Sequence, residues 1–188
     1  LPRRRDAIVK DDVLRRTRDA INPDIERLGY LGFFIIAPDF ISLSSMRDGS
    51  VGVRNVIADQ RPGLLERVFR GDSVIIPAIA SDITLRTTAA SEGRAPPTMF
   101  AATPIIDASG EILAVFTIRI DPISDFSSLT GLGRIGATGE TYAFSRDGYL
   151  LTESRFDDQL RGIGLLKSRQ QSVLSVRVAD PGGDTIKG

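Results

Sequence analysis

The stretch that decides the fold lies at residues 136–155 and reads GATGETYAFSRDGYLLTESR. Two short runs of aromatic and aliphatic residues, Thr141–Phe144 and Tyr149–Thr152, flank a four-residue connection at Ser145–Gly148. The Asp-Gly pair in that connection supplies the positive φ angle that a tight turn between antiparallel strands requires. The pattern therefore predicts a β-hairpin.

Composition limits the chemistry of the whole chain, which has 188 residues. It contains no His and no Cys, and so lacks the commonest general base, the usual zinc ligands and the thiol nucleophile. Lys plus Arg and Asp plus Glu are balanced at 24 each, which gives no overall preference for nucleic acid or an anionic membrane. No catalytic, phosphate-binding or calcium-binding pattern occurs, and we expect no enzyme activity, metal or cofactor in this segment.

Residues 3–28 predict a charged helix with a narrow apolar stripe. Pro23 argues against one unbroken helix, and Asn22 is suited to cap a second piece that begins at Pro23. A helix of this kind either packs along the edge of a sheet or forms a dimer contact. The sequence leaves both open.

Five segments after this helix predict strands, at 33–36, 40–44, 73–79, 99–106 and 111–120. A helix at Pro62–Arg70 separates the second strand from the third, and the segments 46–55 and 80–97 are predicted as loops. In 111–120 apolar residues alternate with a second set that includes Thr117 and Arg119, which we expect on the wetter face. This order predicts an α+β domain built on a five-stranded antiparallel sheet.

The rest of the chain predicts a second, smaller group of elements. A short helix at about 123–134 leads to the hairpin, 155–171 is polar and loop-like, and Ser172–Val178 alternates like a strand. The segment Asp180–Asp184 predicts a turn. These elements are too few for a complete module of the first kind.

Several stretches share one family resemblance: Pro38–Asp48, Ala58–Leu65, Ser73–Ile79, Pro97–Phe100 and 136–155. Together they resemble the tandem double-Cache sensors, the PAS-like domains that lie outside the cytoplasmic membrane in bacterial receptors. The resemblance implies four regions: 1–32, an N-terminal helical region; 33–122, a membrane-distal sensor module; 123–135, a linker helix; and 136–188, part of a membrane-proximal module.

The resemblance also implies a function. A double-Cache sensor binds a small molecule in its distal module and passes a conformational change to a cytoplasmic output domain such as a histidine kinase. The chain would then lie in the periplasm, tethered to the membrane by segments outside it. The same resemblance implies no nucleic-acid partner and a possible homodimer through the N-terminal helix. The alternative is a PAS-like module that dimerises and transmits a signal without a ligand.

The ligand residues that we expect are all polar and lie on or beside the predicted strands: Ser42, Ser44, Arg47, Arg54, Asn55, Asp82, Thr84 and Thr117. A guanidinium can hold a carboxylate through two parallel hydrogen bonds, which favours a small polar or anionic ligand. We expect the loops 46–55 and 80–97 to close over the sheet, with Arg47 or Arg54 turned inward. The sequence has no Trp, and Tyr30 is the only Tyr before residue 123, which disfavours the amino-acid-binding pattern of the family.

Overall fold

The computed structural model describes residues 2–82, 96–133 and 136–178, without the side chains of 2–4 and 126. These residues form two compact units. The first comprises 2–82 and 98–121, and the second contains the described residues after Asp121. The predicted turn at Asp180–Asp184 lies outside the described residues, and the four-region division stays a prediction.

The elements of the first unit follow the predicted order. They are α1 (Pro2–Val9), α2 (Asp12–Arg27), β1 (Gly32–Ile36), β2 (Ser42–Ser45), a 3₁₀ turn (Asp48–Ser50), α3 (Val56–Gln60), α4 (Pro62–Val68), β3 (Val74–Ala80), β4 (Pro97–Ile106) and β5 (Ile112–Ile120). The helix α3 is an addition to the prediction.

The N-terminal helical region breaks at a different place from the one predicted. Pro23 lies inside α2, and the break falls at residues 10–11, where the Asp11 carboxylate accepts a hydrogen bond from the Val13 amide at 2.8 Å and caps α2. The expected cap at Asn22 is therefore wrong. Leu14 and Ile25 of α2 are buried, and the helix packs against β1 and β2, which favours the sheet-packing role for this helix.

The five strands form an antiparallel sheet in the order β2-β1-β5-β4-β3, which confirms the predicted fold class. The central strand β5 pairs with β1 from Gly32↔Arg119 to Ile36↔Val115, and it pairs with β4 from Met99↔Ile120 to Ile106↔Ile112. Pro77 lies in β3, which is an edge strand and therefore tolerates a residue without an N–H donor.

The hydrophobic core lies between one face of this sheet and the helices α3 and α4. Phe34, Phe100 and Val115 line the sheet side, and Ile57 and Leu65 line the helix side. Each of these side chains is almost completely buried. Burial of large apolar side chains on this scale is the main stabilising contribution in a domain of this size.

The loop between β2 and α3 is held by the N-terminal helices. Arg18 donates to the Ser45 carbonyl at 2.7 Å and to the Asp48 carboxylate at 2.7 Å. Gly52 adopts a φ of +71°, and a Cβ atom there would lie 2.8 Å from the Cα of Arg5. A side chain larger than glycine would therefore separate α1 from the loop.

The second unit begins with a wide helical turn at Pro122–Phe126 and α5 (Ser127–Gly131), which agrees with the helix predicted there. The predicted hairpin is present in a short form: Phe144 pairs with Leu150 around a turn in which Gly148 has a φ of +83°. The segment predicted as loop contains α6 (Asp157–Gly162), stabilised by acidic residues in its first turn.

The predicted strand at 172–178 is only partly formed. Residues 172–175 form a turn, closed by a hydrogen bond from the Val176 amide to the Ser172 carbonyl at 2.9 Å. Beyond this turn, Arg177 pairs with Tyr149, and the Leu150 amide donates to the Val176 carbonyl at 3.0 Å. The hairpin and this segment are therefore joined by isolated β-bridges and a few backbone hydrogen bonds.

Candidate functional site

The candidate site lies on the face of β5 that was expected to be the wetter one. Val115, Thr117 and Arg119 are buried, with 0%, 0% and 3% of their surfaces exposed. Phe116 and Ile118, on the opposite face, are only partly buried. The prediction was therefore wrong, because α3 and α4 cover the face that carries the two polar residues.

Arg119 is held between two aromatic rings. Its guanidinium carbon lies 5.2 Å from the centre of the Phe34 ring and 5.0 Å from that of Phe100. The register explains this position, since Phe100 is directly opposite Arg119 on β4 and Phe34 is opposite Thr117 on β1. A cation this close to aromatic faces is attracted electrostatically, and the attraction grows when water is excluded.

The guanidinium also makes two polar contacts at the end of β3. Nη1 donates to Ser81 Oγ at 2.8 Å, and Nη2 donates to Asp82 Oδ1 at 2.6 Å. The Arg119 side chain is 3% exposed, whereas that of Asp82 is 25% exposed. The pair therefore joins a buried cation to a partly exposed carboxylate.

Two other elements position this carboxylate. Ser50, from the 3₁₀ turn, donates to Asp82 Oδ2 at 3.3 Å. Gln60, at the end of α3, clamps the backbone of Ala80: its amide nitrogen donates to the Ala80 carbonyl at 2.7 Å, and its side-chain oxygen accepts from the Ala80 amide at 3.0 Å. The clamp fixes the edge strand just before Asp82.

Opposing effects act on the charge of Arg119. Burial lowers the pKa of Arg119 below its ordinary value, and the negative charge and hydrogen bond of Asp82 oppose that shift. The nearby positive charge of Arg47 lowers the pKa further. An arginine remains protonated in proteins, and the site therefore contains a buried positive charge.

Two buried hydroxyl groups belong to the same face of the sheet. Thr117 lies two residues before Arg119 on β5, and Thr98 lies two residues before Phe100 on β4. Both side chains are fully buried, and neither hydroxyl has a hydrogen-bond partner in the described part of the chain. Buried polar groups are almost always paired, and these two hydroxyls are among seven buried side-chain atoms that have no hydrogen-bond partner among the residues that the structure describes.

Two predicted ligand residues are instead bonded to each other. Asn55 Nδ2 donates to Ser42 Oγ at 2.9 Å, and Asn55 Oδ1 accepts from the Ile57 amide at 2.9 Å, which caps α3. Both residues are about 1% exposed. Their polar atoms therefore hold the loop onto β2. Ser44 is opposite Ile35 in the register, on the sheet face away from Arg119.

The expectation that Arg47 or Arg54 turns inward is wrong. Arg54 pairs with Asp59 at 2.9 Å, and both side chains are at least half exposed. Arg47 is exposed as well, and it forms no ion pair with a described residue. Thr84 lies outside the described residues, as does most of the segment 80–97. Of the eight predicted ligand residues, the geometry brings Asp82 and Thr117 to the buried site, and the binding role of the set stays a prediction.

Sequence reasoning left Arg119 out of the ligand residues, although a signal was present. A charged residue on a strand that alternates regularly shares its face with the residues two positions away, here Thr117 and Asp121. Val115 on the same face was the indication that this side is buried. Ser50 and Ser81 gave no such signal, because their contact with the pair depends on how distant segments fold.

A hollow of about 250 Å³ lies elsewhere on the sheet, lined mainly by apolar residues of β3, β4 and β5. Phe116 and Ile118 contribute to it, from the face opposite Arg119. None of the predicted ligand residues lines it.

Among the described residues, no cluster of acidic side chains could hold a metal ion, and no helix is long and apolar enough to cross a membrane.

Comparison with known proteins gives matches of structure alone. No protein-family model and no curated protein sequence matches this chain. The ligand-binding domain of the Campylobacter jejuni chemoreceptor Tlp3, in complex with 4-methylisoleucine, is similar with a TM-score of 0.54 and 11% identity over 87% of this chain and 59% of that one. The sensor domain of the V. cholerae histidine kinase DctB is similar with a TM-score of 0.50 and 18% identity over 84% of this chain and 60% of that one.

Identities this low establish the fold and nothing finer. The chain spans about three fifths of the length of these two neighbours. One neighbour is the ligand-binding domain of a chemoreceptor and the other is the sensor domain of a histidine kinase, and the five-stranded sheet with flanking helices of this chain is consistent with a PAS/Cache-like fold. The resemblance to Cache-type extracytoplasmic sensors is therefore confirmed at the level of the fold.

Proposed function

We propose that the first unit is the ligand-binding module of a receptor sensor and that its ligand binds over Arg119, Asp82 and Thr117. The observation that carries the proposal is the buried guanidinium between two aromatic rings, joined to a carboxylate that is 25% exposed. A buried ion pair gives little net stability, and a charged pair of this kind is a candidate functional site. The structural neighbours are sensor domains, which supports the same assignment.

The location and the signalling role belong to the same proposal. We infer that the chain is the extracytoplasmic part of a membrane receptor and that segments outside it reach the membrane. Arg119 lies three residues before Pro122, where the second unit begins. A ligand that moves the end of β5 would therefore act close to the connection between the units.

A thermal-shift screen tests the proposal. Small organic acids, amines and sugars are added separately to the protein, since a ligand that binds only the folded state raises the melting temperature. We expect at least one class to raise it and Arg119→Met to abolish the effect. Arg54→Met is the matched control, because it removes an exposed arginine that also lies beside an aspartate and a phenylalanine ring.

The alternative function predicts a different result from the same screen. A module that dimerises and transmits a signal without a ligand would show no shift with any class of compound. A shift that persists unchanged in Arg119→Met would place the ligand elsewhere and contradict the proposed site.

A further inference from the structure

The two members of the buried ion pair differ in their exposure to solvent. Arg119 lies on the central strand, with Phe34 and Phe100 beside its guanidinium and 3% of its side chain exposed. Asp82 lies two residues after the end of β3 and keeps 25% of its side chain exposed. A molecule that competes for this pair would therefore replace the carboxylate and leave the guanidinium in place.

The charges around the pair favour a negatively charged competitor. Arg119 and Arg47 are close enough for the charge of one to affect the other, and Asp82 is the carboxylate that contacts Arg119. Arg47 is exposed and forms no ion pair with a described residue. Among the described residues, these two cations and one carboxylate leave an excess positive charge, which an anion would neutralise.

The unpaired hydroxyls add a second feature. Thr117 Oγ1 lies on the same strand face as Arg119, and the two residues are separated by about 7 Å along the strand. A ligand that bears a further polar group beside its carboxylate could give this hydroxyl the partner that it lacks. An external carboxylate alone would have to compete with a tethered one, whose effective concentration is on the order of millimolar or higher.

We propose that the ligand is a small organic acid whose carboxylate takes the place of Asp82 on Arg119, which makes Asp82 a built-in competitor for the site. This inference rests on the proposed function, since it names the ligand class of the same site. It assigns opposite roles to the two charged residues. Arg119 binds the ligand, and Asp82 lowers the ligand's affinity.

The test measures how the carboxylate-to-amide change Asp82→Asn affects binding. Acetate, glycolate and succinate are titrated by calorimetry into the wild-type protein and the variant, with acetamide and ethylamine as neutral and cationic probes. We expect at least one of the acids to bind the variant roughly tenfold or more tightly than the wild type, because the tethered competitor is lost. Asp59→Asn is the matched control, since it makes the same change beside the exposed Arg54, and we expect it to bind as the wild type does.

A second variant covers the possibility that Asp82→Asn does not fold. Ser50→Ala removes the hydrogen bond to Asp82 Oδ2 and leaves Arg119 and its other contacts in place. We expect it to strengthen acid binding by roughly threefold, the effect of one ordinary hydrogen bond. Unchanged or weaker acid binding in Ser50→Ala would overturn the proposal that the ligand's carboxylate takes the place of Asp82 on Arg119.

The outcomes separate this inference from the proposed function. Weaker acid binding in Asp82→Asn, or binding of ethylamine that the substitution abolishes, would make Asp82 a direct ligand contact and overturn the inference while the sensor role stands. If none of these probes binds either protein and the thermal-shift screen with acids, amines and sugars also shows no binding, the proposed function fails, and the inference fails with it.

Discussion

Two of the Arg–Asp ion pairs in the first unit lie in very different surroundings. Arg119 and Asp82 are 2.6 Å apart, with side chains 3% and 25% exposed. Arg54 and Asp59 are 2.9 Å apart, with side chains 50% and 56% exposed. Arg119 also lies between two aromatic rings, whereas Arg54 lies over one, at 5.4 Å from the centre of the Phe40 ring.

The difference shows that burial, and not the contact itself, decides what an ion pair can do. At the surface, water and salt screen the attraction, and such pairs contribute about 0–1 kcal/mol. In the interior the same contact replaces the hydration of both charges, so that loss of one partner leaves the other without compensation. A change of partner at Arg119 would therefore alter the free energy of unfolding, whereas a change of partner at Arg54 would alter it very little.

The largest expected effect comes from removing the buried carboxylate. Asp82→Ala leaves the guanidinium of Arg119 without its partner, and we expect the free energy of unfolding to fall by about 3 kcal/mol or more. Urea denaturation measures the loss. Asp59→Ala, the matched change at the exposed pair, should cost less than about 1 kcal/mol. Equal losses in the two variants would contradict the contrast between the pairs.

The aromatic rings give a second, smaller contrast. Phe100 is fully buried opposite Arg119, and we expect Phe100→Leu to lower the free energy of unfolding by about 2 kcal/mol through lost packing and a lost cation–π contact. Phe40→Leu changes a partly buried ring beside an exposed arginine and should cost about half as much.

A double-mutant cycle separates the two contributions at Phe100. Chemical denaturation is measured for Phe100→Leu, Arg119→Met and the double variant. If the cation–π contact contributes, the double variant loses less stability than the two single variants added together. Strict additivity would assign the whole effect of Phe100→Leu to packing.

The fold could be predicted from the sequence because its signals are local. Alternation in 111–120, the proline at the first position of the helix that begins at Pro62 and the Asp-Gly turn before Tyr149 each depend on a few neighbouring residues. The break in the N-terminal helix was misplaced because tertiary packing of α2 on β1 and β2 compensates for a proline inside the helix.

The site was harder to predict because its contacts join distant segments. Arg119 meets Ser81 and Asp82 across at least 37 positions of the chain, and no spacing in the sequence indicates that contact. Arg54 stood out because it lies in the glycine-rich loop predicted at 46–55, and loops of this kind are typical of binding segments. The same sequence feature is equally consistent with an ion pair at the surface. In the structure, Arg54 forms such a pair with Asp59.

Asn55 extends the comparison from ion pairs to neutral hydrogen bonds. It caps α3 and bonds Ser42 in a fully buried position, and we expect Asn55→Ala to lower the free energy of unfolding by about 1–2 kcal/mol. Asp11→Ala, which removes the cap of α2, should cost about 1 kcal/mol or less because that side chain is exposed. A larger loss in Asp11→Ala, measured by denaturation, would show that burial does not govern these caps.

The smallest expected effect concerns a carboxylate that has no arginine partner among the described residues. Asp107, in the turn between β4 and β5, is partly exposed, and a hydrogen bond from the Ser109 hydroxyl, followed by one from the Glu111 amide, lowers its pKa below its ordinary value. Because the folded state holds the charged form, the stabilisation is present above the pKa of the unfolded chain and is lost as the pH falls through the folded pKa. We therefore expect Asp107→Asn to melt slightly below the wild type at neutral pH, and we expect this difference to vanish in acid. A difference in melting temperature that stays constant with pH would mean that the charge of Asp107 does not contribute to stability. Of Asp82, Asp59 and Asp107, only Asp82, which lies beside the buried Arg119, would then contribute through its charge.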